Sequence, residues 1–284
     1  QFGKFKISTV ISQKKSSSQS VNSKGGVQLT NYEFSADAYD ENRHFFLAHF
    51  FRDKYNANMA QLPTITSGIK INRVEIWVTN KNGSTTNTRN LVAMADLGEH
   101  DYIGNPLWTP GADVNPCNAA NSLYSYLANE LAAARDISQA TQTLDGFGLS
   151  GGVDYEKLEN ARLLNSSEYI LNEALGYSSL KSTLQTDQVL AVAYEYTYRG
   201  QNYQVGEFST DRQNNKEALF VKALRNTACT PKMPNWNLMM KNVYSLNASS
   251  IQKEKFRLDI KILSDTTGVY LSYIPEPALK SKKI

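Results

Sequence analysis

Only two cysteines, Cys117 and Cys229, occur in the 284 residues. That pair is too sparse for a zinc site, a Cys-x-x-Cys redox motif or the disulfide framework of a small secreted domain. Two outcomes stay open for it: in an oxidising compartment the thiols pair and close a long loop worth roughly 4–5 kcal/mol, or both remain small core residues. Histidine is almost as scarce, at three. His44 and His49 stand five apart, about 140° round a helix from each other, whereas an H-E-x-x-H metal site needs two rings on one face with a glutamate between them. Charge is thin too. Asp, Glu, Lys and Arg make up 20% and leave a net +3. The basic residues are scattered apart from Lys280-Ser281-Lys282-Lys283, which excludes a concentrated nucleic-acid face. No run is long and apolar enough for a transmembrane helix.

What fills the space is uncharged polarity and tyrosine. Hydrophobic residues reach 41%, and 16 tyrosines stand among abundant Asn, Ser, Thr and Gln. This profile suits strands and loops with one wet face, as in extracytoplasmic and outer-membrane proteins, better than a charged cytosolic enzyme. The chain opens at Gln1 without a start methionine or signal segment and ends in mid-pattern, so it reads as a piece of a longer, processed polypeptide.

Three regions follow from the patterning. In 1–34, Phe5, Ile7, Thr9 and Ile11 alternate with polar residues. In 251–284, Phe256, Leu258, Ile260 and Ile262 alternate with Lys255, Arg257, Asp259 and Lys261, a turn follows at Asp265-Thr266-Thr267-Gly268, and alternation resumes at Val269, Leu271 and Tyr273. Period two with one charged face marks a half-buried strand, either at the edge of an antiparallel sheet or in the wall of a membrane barrel. Between them, 35–250 reads as one α+β unit, largely antiparallel with a few helices. Asp40-Glu41-Asn42 would cap an aromatic-rich helix running through Phe46, Phe50 and Tyr55. Ile69–Thr79 is a strand, the turn Lys81-Asn82-Gly83 returns it to Asn90–Leu97 as a hairpin partner, and 98–116 is loop. Ser122–Ser138 reads as one helix and Ser166–Leu175 as a shorter one. Gln188–Tyr198 turns at Gly200-Gln201-Asn202 into Tyr203–Phe208, with Tyr194, Tyr196 and Tyr198 on one face.

Candidate chemistry is sparse. Leu149-Ser150-Gly151-Gly152 has the look of a phosphate-holding ATPase signature, yet no G-x-x-x-x-G-K-[ST] loop accompanies it. It is no nucleophile elbow either, because no strand leads into Ser150. Asp265-Thr266-Thr267-Gly268 is spaced wrongly for an aspartic-protease turn and has no second copy to share a proton. Asp96, Glu99 and Asp101 lack the regular spacing of a calcium loop. The chain therefore offers no catalytic, cofactor-binding or metal-ligating set, and the expectation is a non-enzyme. Trp77 reads as core between Val74, Ile76 and Val78. Trp108, Trp236 and the Tyr-rich strand are the aromatics that could grip a polypeptide or glycan, Trp108 in its Gly- and Pro-rich loop being the better exposed candidate.

Several stretches have distinctive wording: Asp37-Ala38-Tyr39-Asp40, Asn42–Asn56 and Ile71–Asn80, then Met239–Leu246, Gln252–Phe256 and Ser264–Glu276. Together they resemble the SprA/Sov family, the outer-membrane translocon of the type IX secretion system, also needed for gliding motility. The resemblance implies that 1–34 and 251–284 are strands of a very large outer-membrane β-barrel and that 35–250 is an insertion capping or lining its mouth, more naturally on the extracellular side. It implies passage of folded cargo proteins and contact with an outer-membrane lipoprotein, shuttle and plug proteins, with no nucleic acid and no cofactor. The other reading is a secreted carbohydrate-binding or adhesive module.

Overall fold

The computed structural model describes residues 33–212, 214–246, 254 and 256–274. Compactness divides the chain into 1–35 and 36–284. The alternating strands expected in 1–32 lie outside the described residues. The second unit is α+β and mostly antiparallel. Among the described residues its elements are β1 (His44–Phe46), α1 (His49–Asn58), β2 (Ile69–Val78), β3 (Thr88–Met94), α2 (Leu123–Asn129), α3 (Ile137–Gly146), β4 (Tyr155–Leu163), β5 (Tyr169–Asn172), β6 (Tyr177–Leu180), β7 (Leu190–Tyr198), β8 (Gln201–Val205), β9 (Leu219–Arg225), β10 (Ile262–Leu263) and β11 (Tyr270–Leu271). No helix among these residues is long and apolar enough to cross a membrane.

The main sheet closes on itself. Its order is β2-β4-β3-β9-β7-β8, and β2 pairs again with β7 along its whole length, Ile69 opposite Tyr198 and Val78 opposite Leu190. β8 extends β7 beyond the ring, and β3–β9 is the parallel pair. Three of the strands explain the closure, because β3, β7 and β9 are largely apolar on both faces. On β3, β7 and β9 one alternate set (Leu91, Ala93, Ala191, Ala193, Leu219, Val221) gathers with Trp77 and Phe208 in one buried cluster. The other set (Val92, Met94, Tyr194, Tyr196, Phe220, Leu224) joins the larger cluster under the helices. Small residues on the first face, including Ala161 and Ala223, leave room for the Trp77 indole inside so narrow a ring.

The helices and a second, three-stranded sheet (β1-β6-β5) cover the outer cluster. From α1, the buried Phe51 meets Tyr194 and Tyr196 edge-on at 5.9 and 5.3 Å. Phe50, only half-buried, meets Tyr198 at 5.3 Å. Gly176 closes the β5–β6 turn at φ +65°, where a Cβ would collide with the Phe51 ring, so the turn requires glycine on both counts.

Several expectations are corrected. The helix does not start near Asn42. Asn42 sits at φ +57°, Asp40 instead holds Arg43 at 2.9 Å and His44 at 3.3 Å, and His44–Phe46 pairs with β6. β2 and β3 are not hairpin partners: β4 inserts between them, and β2 has β7 on its other side. Ser122–Ser138 is not one helix, because Asp136 caps a new one by accepting from Ser138 N at 3.0 Å. Ser166–Leu175 is not a helix. Glu168, placed like a helix-capping residue, takes a two-pronged bond from Arg162 at 2.9 and 2.8 Å, and the following residues form the β5–β6 hairpin.

At the C-terminal end, Asp265–Gly268 makes the expected turn, closed by Gly268 N donating to Ser264 O at 2.8 Å. The strands beside it shrink to the two-residue β10 and β11. Phe256, Leu258 and Ile260 are 50%, 63% and 52% exposed.

Candidate functional site: a buried ion cluster beneath an open cleft

The first turn of α1 places His49 inside the protein. Its backbone N–H donates to Glu99 Oε1 at 3.2 Å, and Ala48 supplies no side-chain cap. A carboxylate fifty residues away thus satisfies an orphan helix amide and faces the positive end of the helix dipole. His49 Nε2 donates to Pro234 O at 3.0 Å, Nδ1 lies 3.0 Å from Glu99 Oε1, and Tyr102 stacks on the ring at 4.3 Å. From β9, the wholly buried Lys222 reaches the same Glu99 oxygen at 2.8 Å and donates to Leu97 O at 2.9 Å. Burial pushes the Glu99 carboxyl up, but the ammonium of Lys222 and the imidazole of His49 outweigh it and hold it at about 2. Asp96 beside it is pushed up by burial, although Gly104 N and Asn105 N both donate to it at 2.9 Å.

This arrangement works as a latch. The bonds of His49 N, His49 Nε2 and Lys222 Nζ end on the Pro234 and Leu97 carbonyls or on the shared carboxylate, so α1, β9, the 97–105 loop and the Pro234 segment are tied at one point. Glu207 does the same elsewhere, accepting two bonds from Arg135 at 2.9 and 2.7 Å, one from Tyr124 at 2.9 Å and one from Phe220 N at 3.0 Å. Burial, then Glu207, raises the Tyr124 hydroxyl to about 12.

An open cleft of about 600 Å³ lies between α1, the β7–β8 turn and the loop at Val114 and Asn115. A smaller one of about 280 Å³ runs on towards His100 and Tyr102, sharing Phe50, Lys54, Asp101 and Val114. Lys54 Nζ sits 4.8 Å from the Phe50 ring centre and 5.8 Å from that of Tyr198, and the Arg199 guanidinium is 5.1 Å from the Tyr198 ring.

The residues singled out from sequence are scattered. His44 lies on β1, bonded to Ser179 Oγ at 2.7 Å, His49 is in the latch, and His100 contacts Asp101 at 2.7 Å. Asp96 and Glu99 are buried and already engaged. Among the described residues no group of three His, Cys, Asp or Glu side chains could hold a metal ion. The amides after Ser150 are consumed within their own turn, Gly152 N on Tyr155 O at 2.8 Å and Asp154 N on Ser150 O at 2.8 Å, which leaves no phosphate cradle. Cys117 and Cys229 are both free thiols. Trp77 is core as expected, while Trp108 is buried rather than exposed, stacked on Phe147 at 6.0 Å. Tyr194, Tyr196 and Tyr198 are buried too, so the aromatic face packs α1 instead of facing solvent. Trp236 is half-buried beneath Lys241 at 4.8 Å. Sequence reasoning missed Lys222. Its signal was a lone lysine inside Leu219–Leu224, otherwise an unbroken apolar run.

The family model SprA_N, described as a motility related/secretion protein, matches residues 2–204. The chain belongs to this family. The match takes in all of α1 to α3 and β1 to β7, with both walls of the cleft up to β8, while Lys222 and the C-terminal hairpin lie beyond it. No curated protein matches the chain. As an SprA_N member it is a motility related/secretion protein, and its latch and cleft are to be read in that setting.

Proposed function

We propose that this chain is part of the type IX secretion translocon at the bacterial outer membrane, where its α+β unit forms or caps the pore passed by folded cargo proteins and so also supports gliding motility. The SprA_N match carries the reading. Two structural features support the view that it acts by surface and shape rather than by catalysis. The buried charges of the latch and of Glu207 are spent on backbone and on one another, and the candidate nucleophile Ser150 has neither histidine nor phosphate cradle beside it. Its partners would be the cargo and the lipoprotein, shuttle and plug components, met through the outer face of the unit. A glycan-gripping module draws less support, because Trp108 and the tyrosines of β7 are core and Trp236 is half-buried beneath Lys241.

The test is a secretion and gliding assay in a bacterium carrying the parent gene. Deleting 35–250 is expected to block cargo or make the pore leak, while Ser150→Ala, His44→Ala and His100→Ala leave secretion intact. Loss of secretion in any one of these three variants, with the protein folded and inserted, would overturn the non-catalytic reading.

A further inference from the structure

The cleft between α1 and the β7–β8 turn has an unusual balance of charge. Lys54 and Arg199 both sit over the Tyr198 ring, and neither forms an ion pair among the described residues. Of the neighbouring carboxylates, Asp53 is engaged by Arg52 Nη2 at 2.8 Å and by the Tyr102 hydroxyl at 2.7 Å and Asp101 by His100, while the exposed Asp113 beside Val114 meets only the Cys117 thiol at 3.8 Å. Two cations without an ion-pair partner among the described residues thus face a recess with an aromatic floor, whose rim Asp101 shares. Arg199 is held there against backbone preference. It stands at φ +51° in the turn Arg199-Gly200, with Gly200 at +81°. Two left-handed residues in a two-residue hairpin are normally Asn-Gly or Asp-Gly, and an arginine there is uncommon and costs backbone strain.

The sheet edge beside the cleft adds a second observation. Asn118 N donates to Gln204 O at 2.8 Å, so Gln204 turns its backbone groups away from β7. By strand alternation Asn202 does the same, and no described residue pairs with its backbone. Gln201 and Tyr203, on either side of it, line the cleft. An exposed backbone donor and acceptor next to a recess is what recognises another extended chain. The ring faces, by contrast, are occupied: Phe50 and Tyr198 by the cations, and Tyr203 by Tyr196 at 5.2 Å. That leaves no bare platform for a neutral sugar.

We propose that this cleft binds an extended acidic peptide segment, with one or two carboxylates on Lys54 and Arg199 and backbone bonds to Asn202. The assignment rests on the cleft alone and stands or falls apart from the translocon reading. The test is fluorescence anisotropy on the 284-residue chain. The probes are a fluorescein-labelled peptide alternating aspartate with valine, its asparagine counterpart, its backbone N-methylated form, and the polyuronate alginate. The aspartate peptide is expected to saturate the chain and to weaken as salt rises, while the asparagine and N-methylated forms bind at least about tenfold more weakly, a difference of about 1.4 kcal/mol. Arg199→Asn, which suits the left-handed turn better than arginine, and Lys54→Met, which keeps the apolar stem, should together cost the aspartate peptide a similar factor at unchanged melting temperature. Equal binding of the asparagine peptide, or indifference to both substitutions in the folded double variant, would sink the proposal. Alginate binding that depends on both cations, without peptide binding, would reassign the cleft to acidic glycans.

Discussion

At the scale of single residues, the largest stakes sit in Lys222. An ammonium wholly inside the protein is tolerable only because Glu99 and the Leu97 carbonyl face it at 2.8 and 2.9 Å. Lys222→Met strips Glu99 of its main cation and leaves a carboxylate buried with His49 alone. The expected cost is about 3–5 kcal/mol, the usual penalty for breaking a buried pair. Lys222→Met combined with Glu99→Gln removes both charges and should recover much of that loss, as measured by urea denaturation. Glu99 also sets an acid limb. Its carboxyl titrates at about 2 in the folded chain against an ordinary 4.5, so its contribution is complete above about pH 4.5 and fades as pH falls towards 2. Melting temperatures between pH 5 and 2 should fall less steeply in Glu99→Gln than in the parent. Parallel slopes would show that Glu99 is not the group being protonated.

At the scale of elements, α1 is held by one ring more than by its sequence neighbours. Phe51, wholly buried among tyrosines and against Gly176, should cost about 3–5 kcal/mol when cut to alanine. Phe50→Ala should cost clearly less, because Phe50 keeps one side in the cleft. Gly176→Ala is expected to be about as damaging as Phe51→Ala, since the methyl group strains a left-handed turn and displaces the same ring. Urea melts of the three variants decide the order, and a Phe50→Ala loss equal to that of Phe51→Ala would mean that α1 is rotated from its described packing. The helix was legible as an aromatic stretch, but its start was not. Its true cap comes from Glu99, and no local pattern announces a partner fifty positions on. β7 and β8 were legible because Gly200 punctuates an alternating run. β5 and β6 were misread because Ser166-Ser167-Glu168 has the wording of a helix cap while Glu168 answers Arg162. The closed ring was out of reach for a related reason: Asn82-Gly83 suggested a local hairpin, whereas the flanks of β2 go to β4 and β7, and the two apolar faces of β3, β7 and β9 are buried inside and outside the ring. The site was the least legible part. Lys54, Arg199 and Lys222 match no motif, and only folding brings two of them to one ring and the third to a carboxylate.

For the whole molecule, the contrast between the closed ring and the C-terminal hairpin is the feature to explain. The ring satisfies its own edges and buries both faces of β3, β7 and β9. The segment 256–271, which includes the hairpin, leaves Phe256, Leu258, Ile260, Val269 and Tyr270 largely exposed, apolar area that a water-soluble unit seldom carries without a partner. A barrel wall supplies that partner as lipid on one face of alternating strands, in keeping with the proposed translocon. If 256–262 belongs to such a wall, cysteines placed one at a time at Phe256, Leu258 and Ile260 in the full protein should resist a water-soluble maleimide in intact cells. Cysteines at Arg257, Asp259 and Lys261 should react, because they face the lumen. Cys117 and Cys229, both free, are first replaced by serine so that only the introduced thiol reports. Alternating labelling along the run is the expected result. Equal labelling at both sets would mean that the hairpin lies in water, and its apolar face would then call for a protein partner instead of a bilayer.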